Sequence, residues 1–193
     1  LPQSEITRLW RYYKPSGLVS TNIDPEGRAT IFEKLPKELP RVITVGRLDI
    51  TSEGLLLLTN DGELARKLEL PKTRWVRRYR ARVHGHVVED RLLSLSKGVS
   101  VDGVHYGPIA AKIDSQKKSN AWLDLRLREG KNREIRKVMG FLGLDVTRLI
   151  RIAYGPFQLG KMSRGQVIEI TGKVIRDQIS GLHKPKTVNG GSE

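Results

Sequence analysis

In one stretch of the chain Tyr79, Ala81 and Val83 alternate with Arg78, Arg80, Arg82 and His84, and in another Leu123, Leu125 and Leu127 alternate with Asp124, Arg126 and Arg128. An apolar–polar period of two puts every apolar side chain on one face of an extended backbone, so both stretches predict half-buried antiparallel strands. Short helical patterns lie around them. Gly62 to Leu68 follows the cap-like Asn60-Asp61 and stops before Pro71, and Val88 to Ser96 ends before Gly98. From roughly Asn132 to Leu142, the residues Ile135, Val138, Met139 and Leu142 fall at the i, i+3, i+4, i+7 spacing of a single buried stripe. Strands and helices mixed this irregularly predict an α+β fold with an antiparallel or mixed sheet rather than a regular βαβ winding. The glycine-rich nucleotide-binding signatures G-x-G-x-x-G and G-x-x-x-x-G-K-[ST] are absent, as is any internal repeat.

The chain of 193 residues corresponds to roughly one to one and a half domains, and 38% hydrophobic residues in regular periods mark a folded domain rather than a basic tail. Lys and Arg total 35 against 21 Asp and Glu, a formal charge of +14, which makes a polyanion the expected partner. Several classes drop out. With no cysteine there is no disulfide scaffold, Cys-zinc site or thiol catalyst, and the four histidines lack metal-ligand spacing, so no metal is expected. The longest apolar run, Leu55 to Leu58, has four residues, far short of the roughly 18 needed to span a membrane, so no membrane partner is expected either. No signal peptide is visible. Residues 182–193 are rich in Lys, Pro, Gly and Ser without an apolar period, which predicts a flexible polar tail after a domain covering residues 1–181.

The positive charge is clustered. Lys72 to His86 holds six Lys/Arg and no acid, and Arg128 to Arg151 holds seven against three. On the predicted Asn132 helix, Arg133, Arg136 and Lys137 project within about 100° of one another. A single charge run is commonly a solvated face. Two basic faces flanking one core predict a charged cleft suited to RNA or DNA phosphate, with affinity falling steeply as salt rises.

The densest unusual string runs Val45-Gly46-Arg47-Leu48-Asp49-Ile50-Thr51-Ser52-Glu53-Gly54, then Leu55 to Leu58, Thr59, Asn60, Asp61 and Gly62. It predicts a glycine-bracketed polar loop against a buried strand. Arg47 and Asp49, two residues apart on extended backbone, point to one side, and a carboxylate beside a guanidinium stays ionised at neutral pH. Spacing alone favours a turn capped by the aspartate with the arginine paired to it.

This string resembles the catalytic motif of the bacterial ribosomal pseudouridine synthases, the family of the small-subunit enzyme and its large-subunit relatives. Other segments resemble the same family. Arg8-Leu9-Trp10-Arg11-Tyr12-Tyr13-Lys14-Pro15-Ser16-Gly17 is similar to its first strand and Lys-Pro-x-Gly turn, and Asp24-Pro25-Glu26-Gly27-Arg28 to the loop that follows. Glu129-Gly130-Lys131-Asn132-Arg133-Glu134-Ile135-Arg136-Lys137 is similar to the third motif, and Leu149-Ile150-Arg151-Ile152-Ala153-Tyr154-Gly155-Pro156 to the closing strand. The resemblance covers about residues 8 to 172, in order.

The resemblance implies the pseudouridine synthase fold, a mainly antiparallel mixed sheet in two lobes with flanking short helices and a central basic cleft. It implies an isomerase that detaches uracil from ribose, turns it and rejoins it through carbon 5, with no cofactor, metal or ATP. Asp49 matches the catalytic aspartate, as nucleophile at the sugar carbon or as base toward a ribose proton. Arg136 matches the arginine that salt-bridges it. Tyr79 matches the tyrosine that stacks under the flipped base and handles the proton at carbon 5, and Arg47 the position that displaces the uridine from its stack. Leu149 or Ile150 supplies an apolar wall. Arg78, Arg80, Lys131, Arg133 and Lys137 are the expected RNA contacts. The expected partner is ribosomal RNA, of the large subunit on overall likeness and the Trp10-Arg11-Tyr12 opening, bound by a monomer in the bacterial cytoplasm. Family members commonly carry a small RNA-binding domain ahead of the catalytic part; none is seen in this chain, which begins at Leu1 and is read as an excised catalytic domain. The competing class is a non-catalytic RNA-binding or ribosome-assembly protein on the same fold. Asp49, Tyr79 and Arg136 together argue for the enzyme, since a binding surface gains nothing from a carboxylate facing phosphate.

Overall fold

The computed structural model describes residues 6–187. In chain order the elements are β1 (Leu9–Lys14), α1 (Ile31–Lys34), β2 (Ile43–Val45), β3 (Glu53–Thr59), α2 (Gly62–Glu69), β4 (Arg77–His84) and α3 (Glu89–Leu93). There follow β5 (Val99–Val101), β6 (Val104–Tyr106), β7 (Ile109–Lys117), β8 (Asn120–Leu127), α4 (Glu134–Phe141), β9 (Asp145–Tyr154), β10 (Phe157–Gln158), β11 (Val167–Glu169) and α5 (Gly172–Ile179). The chain forms two compact units: residues up to Ile50 with Gly54–Thr73 and everything from Lys161 onward, and Thr51–Glu53 with Arg74–Gly160. The architecture is α+β, as expected.

In the first unit β1 lies between β11 and β3, β2 pairs the other side of β3, and every pairing is antiparallel. Leu55 to Leu58 are all fully buried, so the run of four leucines is a strand covered on both faces rather than a helix. Leu56 and Leu58 join Trp10, Tyr12, Leu18, Ile31, Val42 and Leu48 in one core. The helix expected at Gly62 to Leu68 is α2, capped by Asp61, whose carboxylate accepts from the amides of Glu63 and Leu64.

The same Asp61 holds the C-terminal segment. Its Oδ2 accepts from Thr7 Oγ1 at 2.7 Å and bonds His183 Nε2 at 2.9 Å, and Thr7 in turn pairs with the backbone of Lys186 at both its amide and its hydroxyl. His183 is buried. The segment expected to be a flexible tail from residue 182 is therefore pinned through residue 186, because one buried imidazole satisfies a cap that composition does not reveal. Residues 188–193 lie outside the described residues.

In the second unit the sheet order is β9-β4-β8-β7, antiparallel throughout, with β10 on β9. The predicted alternation is realised. Tyr79, Ala81, Val83, Leu123, Leu125 and Leu127 face a core closed by Leu92 of α3, Leu95, Tyr106, and Ile135, Val138 and Met139 of α4. Two local expectations are corrected. Asp124, expected on a solvated face, is 3% exposed, because the Arg78 guanidinium from the neighbouring strand lies over it at 2.7–3.2 Å. The helix expected from Asn132 begins two residues later, because Arg133 adopts a left-handed conformation (φ +51°) that cannot continue a helix. Gly155 (φ +57°) is required where β9 turns into β10: a Cβ there would lie 2.4 Å from the Trp75 ring, which packs edge-on against Tyr154 and Phe157.

Candidate active site

In the first unit the polar loop of residues 46–50 is fixed through its backbone. Gly46 (φ +70°) donates its amide to Glu69 of α2 at 2.7 Å. Ser20 accepts from the Leu48 amide and donates to the Leu48 carbonyl, at 3.2 and 2.8 Å. The amide of Gly17 donates to the Ile50 carbonyl at 2.7 Å. Lys14, at the end of β1 and fully buried, donates its ammonium to the carbonyls of Pro15, Asp49 and Ile50 at 3.1, 3.1 and 3.3 Å. A buried ammonium has to spend its protons on such carbonyls, so β1 and this loop constrain each other. On the loop Leu48 points into the core, Asp49 is half-buried and Arg47 is exposed. Residues 24–28 form a second closed loop in which Asp24 accepts from Arg28 and from the amides of Glu26 and Arg28. The Arg28 side chain leads in drawing the Asp24 carboxyl down to about 2. Arg28 is held well above its ordinary value, first by Asp24 and also by the charges of Glu26 and Asp49. Arg28 is thus a cation acting on Asp49.

In the second unit Tyr79 is 9% exposed on the core face of β4 and stands directly opposite Arg151 of β9. Arg151 is 3% exposed, with its guanidinium 4.8 Å from the centre of the Tyr154 ring. Between Arg78 and Tyr79 the register slips so that Ile152 has no opposite residue on β4; such a bulge re-aims neighbouring side chains. Leu149 pairs Ala81 on Tyr79's face, whereas Ile150 pairs Arg80 on the other, so of the two apolar candidates Leu149 accompanies the tyrosine. Arg136 is half-buried on α4 and donates to the carbonyls of Val146 and Thr51 at 3.2 and 3.4 Å. Arg133 and Lys137 are exposed. Lys131 donates its ammonium to the His105 carbonyl and sits 5.7 Å from the centre of the Tyr106 ring, so it also closes the loop ahead of α4.

Arg78 and Arg80 lie on the sheet face opposite Tyr79. Arg78 is committed to Asp124, and Arg80 stacks over Trp122 at 4.6 Å. Three residues stood outside the sequence reading of the site: Lys14, Arg28 and Arg151. A basic residue in a core-facing strand phase, as at Arg151, is the signal that could have found the last. Among the described residues no group of His, Asp and Glu is placed to hold a metal ion, and no helix is long and apolar enough to cross a membrane.

A half-buried carboxylate on a backbone-locked loop, set in a strongly basic α+β chain, can perform acid–base or nucleophilic chemistry. The comparison with protein families narrows this. The model described as RNA pseudouridylate synthase matches residues 8–140, and the chain belongs to that family. It is 49% identical over 174 residues to an RNA pseudouridine synthase of Rickettsia felis, spanning 90% of this chain and 75% of the relative. It is 41% identical over 173 residues to the ribosomal large subunit pseudouridine synthase B of Yersinia pestis, spanning 87% of this chain and 54% of that relative. A crystal structure titled pseudouridylate synthase superposes with a TM-score of 0.79 at 25% identity, covering 93% of this chain and 76% of the other.

Proposed function

We propose that this chain isomerises one uridine of large-subunit ribosomal RNA to pseudouridine, with Asp49 as the catalytic carboxylate. The observation that carries the reading is the fixing of residues 46–50 by Lys14, Gly17, Ser20 and Glu69, which holds the backbone on either side of the Asp49 side chain. Preorganisation of this kind converts binding into rate. The bond between N1 and the sugar carbon breaks, the uracil turns, and carbon 5 takes the sugar carbon in its place. The proton lost from carbon 5 is balanced by one gained at N1, so nothing is consumed. Asp49 serves the cleavage, as nucleophile at the sugar carbon or as base on the ribose.

Arg136 is the ionic partner of Asp49. The match of Arg136 to the family's arginine supports this. Tyr79 stacks beneath the base and Leu149 walls it, supported by their common sheet face. Arg47, Arg133 and Lys137 bind phosphate, and their exposure suits that task. Lys131 adds charge there while closing its loop. Arg78 and Arg80, on the opposite face, contribute to the field rather than to the reacting nucleotide. Relatives named for the large ribosomal subunit, from Yersinia pestis and Haemophilus influenzae, support the choice of RNA. The enzyme acts as a monomer in the bacterial cytoplasm.

Release of tritium from RNA labelled at uridine carbon 5 tests the reaction. Wild type releases one label per modified site, and Asp49→Asn releases none while binding RNA nearly as well. Tight binding by wild type without tritium release on any ribosomal RNA would replace this reading with that of a binding protein.

A further inference from the structure

Ahead of α4 the chain folds a tight loop, and at its centre is a buried carboxyl with one oxygen that has no donor among the described residues. Glu134 is 3% exposed. Its Oε1 accepts the amide of Lys131 at 3.1 Å, while the amide of Glu134 returns to the Lys131 carbonyl at 3.1 Å. Its Oε2 is buried with no donor from any described residue. The Glu134 side chain has a second carboxyl, that of Glu129, in hydrogen-bonding reach. Two carboxylates can meet this way only if a proton lies between them.

The surroundings say which of the two is ionised. Glu129 Oε1 accepts the Gly107 amide at 2.6 Å, and its Oε2 lies 3.8 Å from the Lys131 ammonium. Glu134 accepts one amide only, and its second oxygen has no donor among the described residues, so the proton resides there.

We propose that Glu134 is a protonated carboxylic acid in the folded protein, donating to Glu129, and that this shared proton is what positions Arg136 one turn into the adjoining helix. Glu129 is tied by Gly107 to the strand end after β6, and Lys131 is tied by the His105 carbonyl and the Tyr106 ring to β6 itself. The Glu134–Glu129 bond joins the start of α4 to those anchors. Loss of the proton puts two anions in contact, opens the loop and lets the helix start shift, carrying Arg136 with it.

The titration follows from the groups present. Burial pushes the Glu134 carboxyl up to about 7, with the charge of Glu129 adding to it and Lys131 opposing. The other charged groups on the packed elements are Arg133, Arg136 and Lys137 of α4, Arg77 of β4 near Gly130, and Asp145, Arg148 and Arg151 of β9; β5 brings no titratable side chain. Because the native acid is weakened relative to the unfolded chain, its stabilising effect is full below the ordinary glutamate range and is lost as pH rises through about 7.

The role of Arg136 rests on the functional reading above, but the proton does not. Infrared difference spectra of wild type minus Glu134→Gln, recorded at pH 6, should show the carbonyl band of a protonated carboxylic acid, a band that vanishes by pH 9. At pH 6 ordinary Asp and Glu are ionised, so the band isolates this group. Absence of the band at pH 6 overturns the proposal whatever the enzyme does. Steady-state kinetics on RNA test positioning. Wild-type kcat should fall about tenfold from pH 6.5 to 8.5 at little-changed KM, while Glu134→Gln, whose amide donates at any pH, should keep at least half of the maximal rate with that fall abolished. Glu129→Gln, which supplies a donor from the other side, should likewise lose the infrared band and the fall. A Glu134→Gln enzyme that keeps the wild-type profile, or loses activity as fully as Glu134→Ala, overturns the positioning role.

Discussion

Asp49 is held by its own backbone: Lys14 takes its carbonyl and that of the next residue, so the position of the carboxylate is decided before substrate arrives. Lys14→Met keeps the volume and removes the ammonium that ties the carbonyls of Pro15, Asp49 and Ile50 together. We expect a loss of about 3 kcal/mol in chemical denaturation and a kcat at least tenfold lower. Equal stability and activity would show that the loop holds itself. The aspartate was legible through the resemblance of its local motif to the family's, since the spacing of Gly46, Arg47 and Asp49 alone left a capped turn open. Lys14 was legible only as part of a turn, since nothing in a lone Lys-Pro pair says that the ammonium is buried. Arg151 sat within a quoted segment, yet its importance depends on the register that brings it opposite Tyr79, and register is a tertiary quantity.

Elements followed their periods where one face was buried and departed where a single polar contact intervened. The alternating stretch of residues 78–84 became β4 (Arg77–His84), and the stripe of Ile135, Val138 and Met139 became the buried face of α4, because apolar burial dominates such segments. Asp124 kept to the polar face but is covered there by Arg78, and the start of α4 moved to Glu134, the first through a contact between residues far apart in the chain and the second through a rare backbone conformation. The pinned C-terminal segment belongs here as well. His183→Ala should remove the amide-exchange protection of Thr7 and Lys186 while leaving that of β4 and β8 intact; unchanged protection would mean that the backbone pairing suffices. Gly155→Ala forces a Cβ into the Trp75 ring at a left-handed position, and should cost the second unit about 2 kcal/mol or more in thermal unfolding.

For the molecule as a whole, the charge of +14 was legible as an appetite for polyanions, but which charges serve the RNA was not. Arg78 is an example: its guanidinium belongs to Asp124, whose carboxyl burial pushes up and Arg78 more than draws back below the ordinary range. Arg78→Ala should therefore lower stability more than it changes the salt dependence of binding. Arg133→Ala, an exposed position, should flatten the plot of log affinity against log salt by about one phosphate contact. The molecule's stability also carries two opposite pH slopes. Asp24, Asp61 and Asp124 have lowered folded values, so their contribution is present above the ordinary aspartate range and is lost as pH falls below it. Glu134 acts in the other direction, between the ordinary glutamate range and about 7.

The most direct measurement is a pseudouridine map of large-subunit ribosomal RNA from cells lacking this gene, complemented with wild type or with Asp49→Asn. One pseudouridine should disappear on deletion and return only with wild type. Its return with Asp49→Asn at the wild-type level would contradict the account, since the carboxylate on the locked loop would then not be the group that does the chemistry.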